Sequence, residues 1–155
     1  MRAVVQRVAS AEVTWGSGAD RRRRSIEKGL VVLLGAGPGD DEAAARRLAS
    51  KVVALRIFED ADGKTNLSLR EVGGEALVVS QFTLYADVSR GRRPSFVGAA
   101  EPGLAATLCE SFSAFLAGAG IPVREGAFGA HMTLTLSNDG PMTLVISTEA
   151  WPTRV

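Results

Sequence analysis

The sequence predicts a single α/β domain over residues 1–155, with mixed β-sheets and two main helices packed mainly on one side. Apolar or alternating runs typical of strands are interspersed with two stretches whose apolar residues recur at helical spacing. No repeat or low-complexity linker divides the chain. With 155 residues, of which 46% are hydrophobic, the chain is long enough to bury about two thirds of its unfolded surface.

Three strands are predicted before residue 81. Residues 3–15 form the first, with imperfect alternation of apolar and polar side chains, and the fully apolar residues 30–34 form the next. Residues 77–79 are a short apolar run typical of a buried strand. Such runs, separated by helical patterns, favour a mixed sheet.

Two helices are predicted from their start signals and apolar stripes. The first follows the acidic residues 40–42, which suit a helix N-terminus, and continues to about Leu55. The second begins near Pro102, a favoured first-turn residue, and ends at the glycine-containing residues 118–120. Its predicted apolar stripe consists of Leu104, Leu108, Phe112 and Phe115.

The most distinctive turn signal is Asn138-Asp139-Gly140-Pro141, between alternating runs at 132–137 and 142–148. The two runs predict half-buried strands, so the tetrapeptide is expected to close a hairpin. Proline after glycine removes an amide donor and fixes φ, and the sequence does not determine the isomer of the X-Pro bond. Such a turn can present carbonyl groups as a polar surface without any side chain. A purely structural turn is the ordinary interpretation.

A second segment places polar groups at the end of the strand predicted at 77–79. It consists of Ser80, Gln81, Phe82 and Thr83. The charged loop that follows contains Arg90, Arg92 and Arg93, which are candidate contacts for nucleic-acid phosphates. Strand ends followed by such loops are where α/β proteins commonly build binding sites.

Conventional catalytic sets are absent from the sequence. His131 is the only histidine, no acidic or cysteine cluster completes a metal set around it, and a Ser-His-Asp triad would have to use it. Gly63-Lys64-Thr65 lacks the earlier glycine of a P-loop, because Phe58 stands there. Cys109 lies in an apolar helical stretch and is predicted to be buried. Neither a metal nor a cofactor is therefore expected.

Composition restricts the class of protein and its expected compartment. Apolar residues 29–37 are too few to cross a bilayer, which takes about 20 residues, and no signal-peptide pattern precedes them. One cysteine fits a reducing compartment, so a cytoplasmic protein without membrane contact is expected. Because the net charge is only +1, any nucleic-acid binding must depend on local basic runs. One such run is residues 21–24, for which solvated surface and phosphate contact are equally open.

These motifs together resemble the D-aminoacyl-tRNA deacylase family, proofreading enzymes that hydrolyse D-amino acids from tRNA. The resemblance implies the same α/β fold, a homodimer, tRNA charged with a D-amino acid as the partner, no DNA and no cofactor. The matching segments stand in family order over almost the whole chain: Val5-Gln6-Arg7-Val8, Arg56-Ile57-Phe58, Gly63-Lys64-Thr65-Asn66, residues 80–87, Arg93-Pro94-Ser95-Phe96 and residues 138–143. The basic run at 21–24 departs from the more mixed charge usual there.

The resemblance also implies a mechanism that uses the backbone. Residues 80–83 would line the pocket, and their amides would hold the developing oxyanion of an ester that is already activated. Thr83 is a candidate nucleophile only if a base adjoins it, and the sequence offers none. Attack by water, assisted by the 2′-hydroxyl of the substrate, suits this composition better.

Selectivity, by the same resemblance, belongs to the turn. The Gly140-Pro141 bond would be cis, and the turn would enter the partner subunit's active site, where its carbonyls exclude an L-side chain. Arg7 would hydrogen-bond to the turn, unless it is a surface arginine on an edge strand. Glycyl-tRNA, which has no side chain to exclude, would not be fully rejected.

Three other functions remain open from the sequence. They are a sister deacylase with a trans Gly-Pro bond that acts on L-alanyl esters, an editing domain of a synthetase, and a non-catalytic tRNA-binding module. The absence of an attached synthetase argues against the editing domain. The tail at 149–155, with Trp151 and Pro152, is expected to cover a sheet edge or a dimer surface.

Overall fold

The structure, a computed structural model, describes residues 1–150, which form eight β-strands, two α-helices and two short 3₁₀ helices. The tail residues Trp151 and Pro152 lie outside this part of the chain. The 3₁₀ helices span Gly18–Asp20 and Phe82–Tyr85. The other elements are β1 (Arg2–Trp15), β2 (Arg22–Ile26), β3 (Gly29–Gly35), α1 (Glu42–Ala54), β4 (Arg56–Glu59), β5 (Thr65–Ser68), β6 (Glu75–Ser80), α2 (Pro102–Gly118), β7 (Val123–Glu125) and β8 (Met132–Ser147).

Strand β1 is the centre of the main sheet. On one edge it pairs antiparallel with β3 through its N-terminal half and with β2 through its C-terminal half. Its other edge pairs antiparallel with β8. β3 continues the sheet through parallel pairing with β6, which in turn pairs parallel with β7. β4 and β5 form a separate antiparallel pair.

The expected hairpin around Gly140 is wrong. Both alternating runs belong to β8, which continues in one direction along β1. Pairing is interrupted between Asn138, opposite Val8, and Thr143, opposite Gln6, and a smaller shift in register lies between Val8 and Ser10. Residues 139–142 therefore form an excursion from a continuous strand, and the Gly140-Pro141 bond within it is cis. Alternation identifies a strand but not its neighbour, and here the neighbour β1 is long enough to hold both runs.

Both helices pack on one face of the main sheet, as predicted. α1 begins after Asp41, whose carboxylate caps the helix by accepting a hydrogen bond from the amide of Ala44 at 2.7 Å. In α2 the predicted stripe is only partly correct, since Leu104 is exposed while Leu108 and Phe112 are buried. The core on this face also takes buried side chains from β1, β3 and β6. None of the helices within residues 1–150 is long and apolar enough to cross a membrane.

The opposite face of the sheet curls around a second core. Its buried residues come from four strands and are Val8, Ala11, Val13, Ile26, Val31, Leu77 and Val79. Trp15 and residues at the start of β8 pack partly buried against them. The result is one α/β domain with a nearly closed sheet, with an opening on this second side.

Candidate active site

A cavity of about 860 Å³ lies at the end of β6, between the first turns of α2 and the start of β8. Ser80, Gln81 and Phe82 form part of its wall, whereas Thr83 does not line it. Most of the other lining side chains are apolar, among them Leu33, Val79, Phe96, Val97, Ala105, Phe128, Met132 and Leu134. A mainly apolar cavity with a few polar groups at a strand end is the usual form of a small-ligand site.

The segment that follows β6 is anchored at its start and open beyond it. The amide of Gln81 donates a 2.7 Å hydrogen bond to the carbonyl of Leu34 in β3. The next residues turn into the 3₁₀ helix Phe82–Tyr85. Within residues 1–150 no acceptor pairs with the backbone amides of Phe82 and Thr83. Two adjacent N–H groups therefore remain unpaired, one in the cavity-lining residue Phe82 and one in the residue after it, as at the start of any helical turn.

Thr83 has no base beside its hydroxyl in the described structure. The Thr83 Oγ1 atom accepts a hydrogen bond from the Nε2 amide of Gln81, and an amide cannot take a proton from it. The one thiol that lines the cavity, Cys109, is also unsuited to attack. Burial, with a smaller effect of Glu125 and Glu110, raises the pKa of Cys109 to about 11, so the thiol stays protonated near neutral pH.

Phe96 joins the loop at 86–97 to this segment. Its ring meets the ring of Phe82 edge-on, with centroids 4.9 Å apart and an interplanar angle of 70°. Backbone hydrogen bonds of 2.8 and 2.9 Å between Asp87 and Ser95 close the loop at its base. Arg90, Arg92 and Arg93 lie within the closed loop and are exposed. The three exposed cations therefore lie on the loop whose Phe96 lines the cavity.

The far end of the 3₁₀ helix is held by charged neighbours. Tyr85 donates a 3.0 Å hydrogen bond to the Asp40 carboxylate, and the Arg2 guanidinium lies 4.1 Å from the centroid of its ring. Arg2 also donates to the carbonyl of Leu84 at 3.0 Å. Burial raises the pKa of Asp40, but hydrogen bonds from the Met1 amino group, Gly37 and Tyr85 outweigh it, so the pKa lies below its usual value. Asp40 therefore stays ionised as an acceptor.

Arg7 and the turn are brought together by the structure. The Arg7 side chain is only 5% exposed, so it is not a surface arginine. Its Nε donates to the carbonyl of Asp139 at 2.9 Å, and its Nη1 donates to the carbonyl of Ile57 at 2.6 Å. The Asp139 carboxylate lies 3.2 Å from Nε and that of Glu59 3.9 Å from Nη2. A buried guanidinium thus joins the turn to β4.

The turn is also fixed by Asn138. The Oδ1 atom of Asn138 accepts a hydrogen bond from the amide of Met142 at 2.8 Å, and its Nδ2 donates to Thr143 Oγ1 at 3.0 Å. Gly140 and Pro141 themselves are exposed. The turn therefore has a fixed base and an open tip.

The candidate residues form two groups that do not meet within the chain. Residues 80–82 line the cavity with Phe96, whereas none of residues 138–143 does so. Phe128 and Met132, which also line the cavity, were missed by the sequence reasoning. The local sequence carries no signal for them, because an exposed aromatic or a half-buried methionine looks the same in any strand or loop.

Comparison with known proteins gives a consistent family. A family model described as D-Tyr-tRNA(Tyr) deacylase matches residues 4–147. A D-aminoacyl-tRNA deacylase of Roseiflexus sp. (strain RS-1) is 56% identical over 94% of this chain and 92% of its own length. One of Lacticaseibacillus casei (strain BL23) is 51% identical over 97% of this chain and 99% of its own.

Two solved structures are similar in fold. One, described as "c-Myc DNA Unwinding Element Binding Protein", aligns with a TM-score of 0.88 at 37% identity, over 97% of this chain and 100% of that one. A second, described as "Structural Analysis of a probable eukaryotic D-amino acid tRNA deacylase", aligns with a TM-score of 0.79 at 20% identity, over 94% and 97% of the two chains. At that identity the second likeness establishes the fold alone.

Proposed function

The chain belongs to the D-Tyr-tRNA(Tyr) deacylase family, and on that premise we propose that it hydrolyses the ester bond of D-aminoacyl-tRNA to free D-amino acid and tRNA. The observation that carries the proposal is the cavity at the end of β6, with two unpaired backbone amides beside it. It offers space for an aminoacyl group and donors for a developing negative charge. The enzyme needs neither a histidine nor a catalytic thiol in this scheme.

The chemistry is the addition of water to an activated ester. The water oxygen attacks the carbonyl carbon, and negative charge develops on the carbonyl oxygen, where the amides of Phe82 and Thr83 stabilise it. Each such donor contributes about 3 kcal/mol in enzymes where it has been removed. The bond from carbon to ribose oxygen then breaks, that oxygen takes a proton, and the neighbouring 2′-hydroxyl of the RNA assists the transfer.

Selectivity is assigned to the Gly140-Pro141 turn. Its exposed tip and rigid base suit a surface that excludes an L-side chain by contact, while a D-side chain points away from it. None of residues 138–143 lines the cavity of its own chain, which supports a homodimer in which the turn acts in the site of a second copy. A glycyl ester, without a side chain, passes this filter in part.

Hydrolysis of D-tyrosyl-tRNA and L-tyrosyl-tRNA, followed by release of the labelled amino acid, tests the proposal. The wild-type protein is expected to cleave only the D-ester. If neither ester is cleaved, the protein is a non-catalytic tRNA-binding module. If L-alanyl-tRNA, assayed in the same way, is cleaved in preference, the protein is the sister deacylase. A single-stranded DNA of the acceptor-end sequence serves as a binding control, since one of the structurally similar proteins is named for binding a DNA element.

Gly140→Ala tests the selective turn. The φ of Gly140 is +134°, and a Cβ there would lie 2.8 Å from the amide of Met142 and 3.1 Å from Arg7 Nη2, so the turn must shift. We expect cleavage of L-tyrosyl-tRNA to rise or cleavage of the D-ester to fall by at least about tenfold. Gly73→Ala is the matched control, because Gly73 also has a positive φ but no atom near its Cβ position. An unchanged preference in Gly140→Ala removes the turn from the selectivity mechanism.

A further inference from the structure

We propose that Arg22 and Arg24, on the edge strand β2, bind phosphates of the tRNA acceptor end next to the cavity. The inference rests on the proposed function, because it concerns the part of the same substrate that lies outside the cavity. β2 pairs only with β1 among the described strands, and residues 22–25 are all exposed. A cationic edge that no other described strand covers is suited to a polyanion.

The register of the sheet puts Arg22 on the face that carries the cavity. Trp15 of β1 pairs with Arg22 on one side and with Met132 of β8 on the other. Residues directly opposite each other in antiparallel strands project from the same face. Met132 lines the cavity, so Arg22 stands two strand spacings away from it on the same face, roughly 10 Å.

Two residues earlier in β1, where the side chain projects from the same face, the arrangement is repeated. Val13 pairs with Arg24 on one side and with Leu134 on the other, and Leu134 also lines the cavity. The Arg24 guanidinium lies 5.8 Å from the centroid of the Trp15 ring, which confirms the face on which it projects. Arg22 and Arg24 therefore form one row beside the cavity, with Trp15 under it.

Arg23, which lies between these two arginines in sequence, has a different environment. Arg23 is opposite Thr14 and projects from the other face, where its guanidinium lies 3.3 Å from Glu12. Within residues 1–150 neither Arg22 nor Arg24 forms an ion pair. No carboxylate in the described part of the chain therefore neutralises the row, and phosphates of an RNA strand leading away from the cavity complement its charge.

Two double variants that remove the same charge test the proposal. R22A/R24A deletes the row, and R21A/R23A deletes the flanking arginines. Each is assayed with D-tyrosyl-tRNA and with D-tyrosyl adenosine, an ester that lacks the acceptor stem. For R22A/R24A we expect roughly a tenfold rise in KM for the tRNA with kcat unchanged, and no change for the adenosine ester. R21A/R23A should resemble wild type with both substrates.

The dependence of KM on salt concentration is a second test of the phosphate contacts. The slope of log KM for tRNA against log salt should fall by about 0.7 per lost phosphate contact in R22A/R24A. R22K/R24K, which keeps the charge, should retain most of the affinity. Equal losses in both alanine variants, or none in R22A/R24A, would overturn the inference while leaving the proposed function intact. If the wild-type protein cleaves neither ester, the proposed function itself fails.

Discussion

Arg7 shows how much one buried side chain can hold in place. Its guanidinium donates to two backbone carbonyls, one in the excursion of β8 and one in β4, while carboxylates of Asp139 and Glu59 lie near its charge. A planar guanidinium can donate in two directions at fixed angles, and a lysine ammonium cannot reproduce that geometry. Arg7 therefore sets the position of the turn through contacts that no other residue type supplies.

Arg7→Lys should reduce both stability and selectivity. At least one carbonyl loses its donor in a buried environment, so the free energy of unfolding should fall by about 2 kcal/mol. Cleavage of L-tyrosyl-tRNA should rise, because the turn is no longer held. Urea unfolding and the two-ester assay measure these effects.

The matched control for that change is Arg46→Lys. The Arg46 guanidinium lies 3.8 Å from Glu42 and 4.5 Å from the centroid of the Phe115 ring on the exposed surface of α1, where each such contact contributes about 0.5 kcal/mol and a lysine ammonium can replace it. Its loss should leave both measurements near wild type. Identical behaviour of the Arg7 and Arg46 variants would show that Arg7 does not position the turn.

At the scale of elements, the two ends of the 3₁₀ helix Phe82–Tyr85 have different contacts. The amides at its start are unpaired, while its far end is held by Asp40 and Arg2 through Tyr85 and Leu84. A short helix anchored at one end presents the donors of the other end in a constant direction. In the proposed mechanism the backbone amides, and not the Thr83 side chain, stabilise the oxyanion.

Thr83→Pro and Thr83→Ala separate the amide from the hydroxyl. Proline removes the N–H and should lower kcat by about 10²- to 10³-fold, whereas alanine should leave kcat within a few-fold of wild type. Ala86→Pro is the control for helix damage, because Ala86 has a φ of −63° and its amide donates only to Thr83 at the far end. Thermal unfolding confirms that each variant folds. A loss in Thr83→Ala as large as in Thr83→Pro would assign the chemistry to the hydroxyl.

The elements also show what local sequence can and cannot specify. Capping residues predicted α1 and Pro102 predicted the start of α2, because both signals act within one turn of a helix. The alternation at 132–137 and 142–148 predicted strands correctly, but the turn residues between them suggested a hairpin. The direction of the second run depends on the edge of β1, about 140 positions away in sequence, which no local pattern contains.

At the scale of the whole molecule, the candidate site is split between two places on the chain. The cavity with residues 80–82 and the turn with Arg7 were both predicted as important, and the structure gives each its own surroundings. Their separation was not predictable from composition or spacing, because it follows from the curl of the sheet. Two copies are needed to bring the two groups together in the proposed mechanism.

A mixed dimer of a Thr83→Pro protomer and a Gly140→Ala protomer tests this division. Its one working site combines the intact amides of the Gly140→Ala protomer with the intact turn of the Thr83→Pro protomer. The mixed dimer, isolated with two affinity tags, should show about half the wild-type activity and full discrimination against L-tyrosyl-tRNA. Cleavage of the L-ester at about half the level of the Gly140→Ala homodimer would place the turn in its own chain's site.

The continuous strand β8 also determines when, during biosynthesis, the turn that is proposed to confer selectivity can form. Arg7 and Asp139 are 132 positions apart, so the ribosome completes the cavity-forming strands β3 and β6 long before the partner of Arg7 emerges. Until then one edge of β1 stays unpaired and its buried arginine has no turn to hold. In a nascent chain the second edge of β1 is therefore covered, and the turn proposed to discriminate is held, in one step when β8 docks.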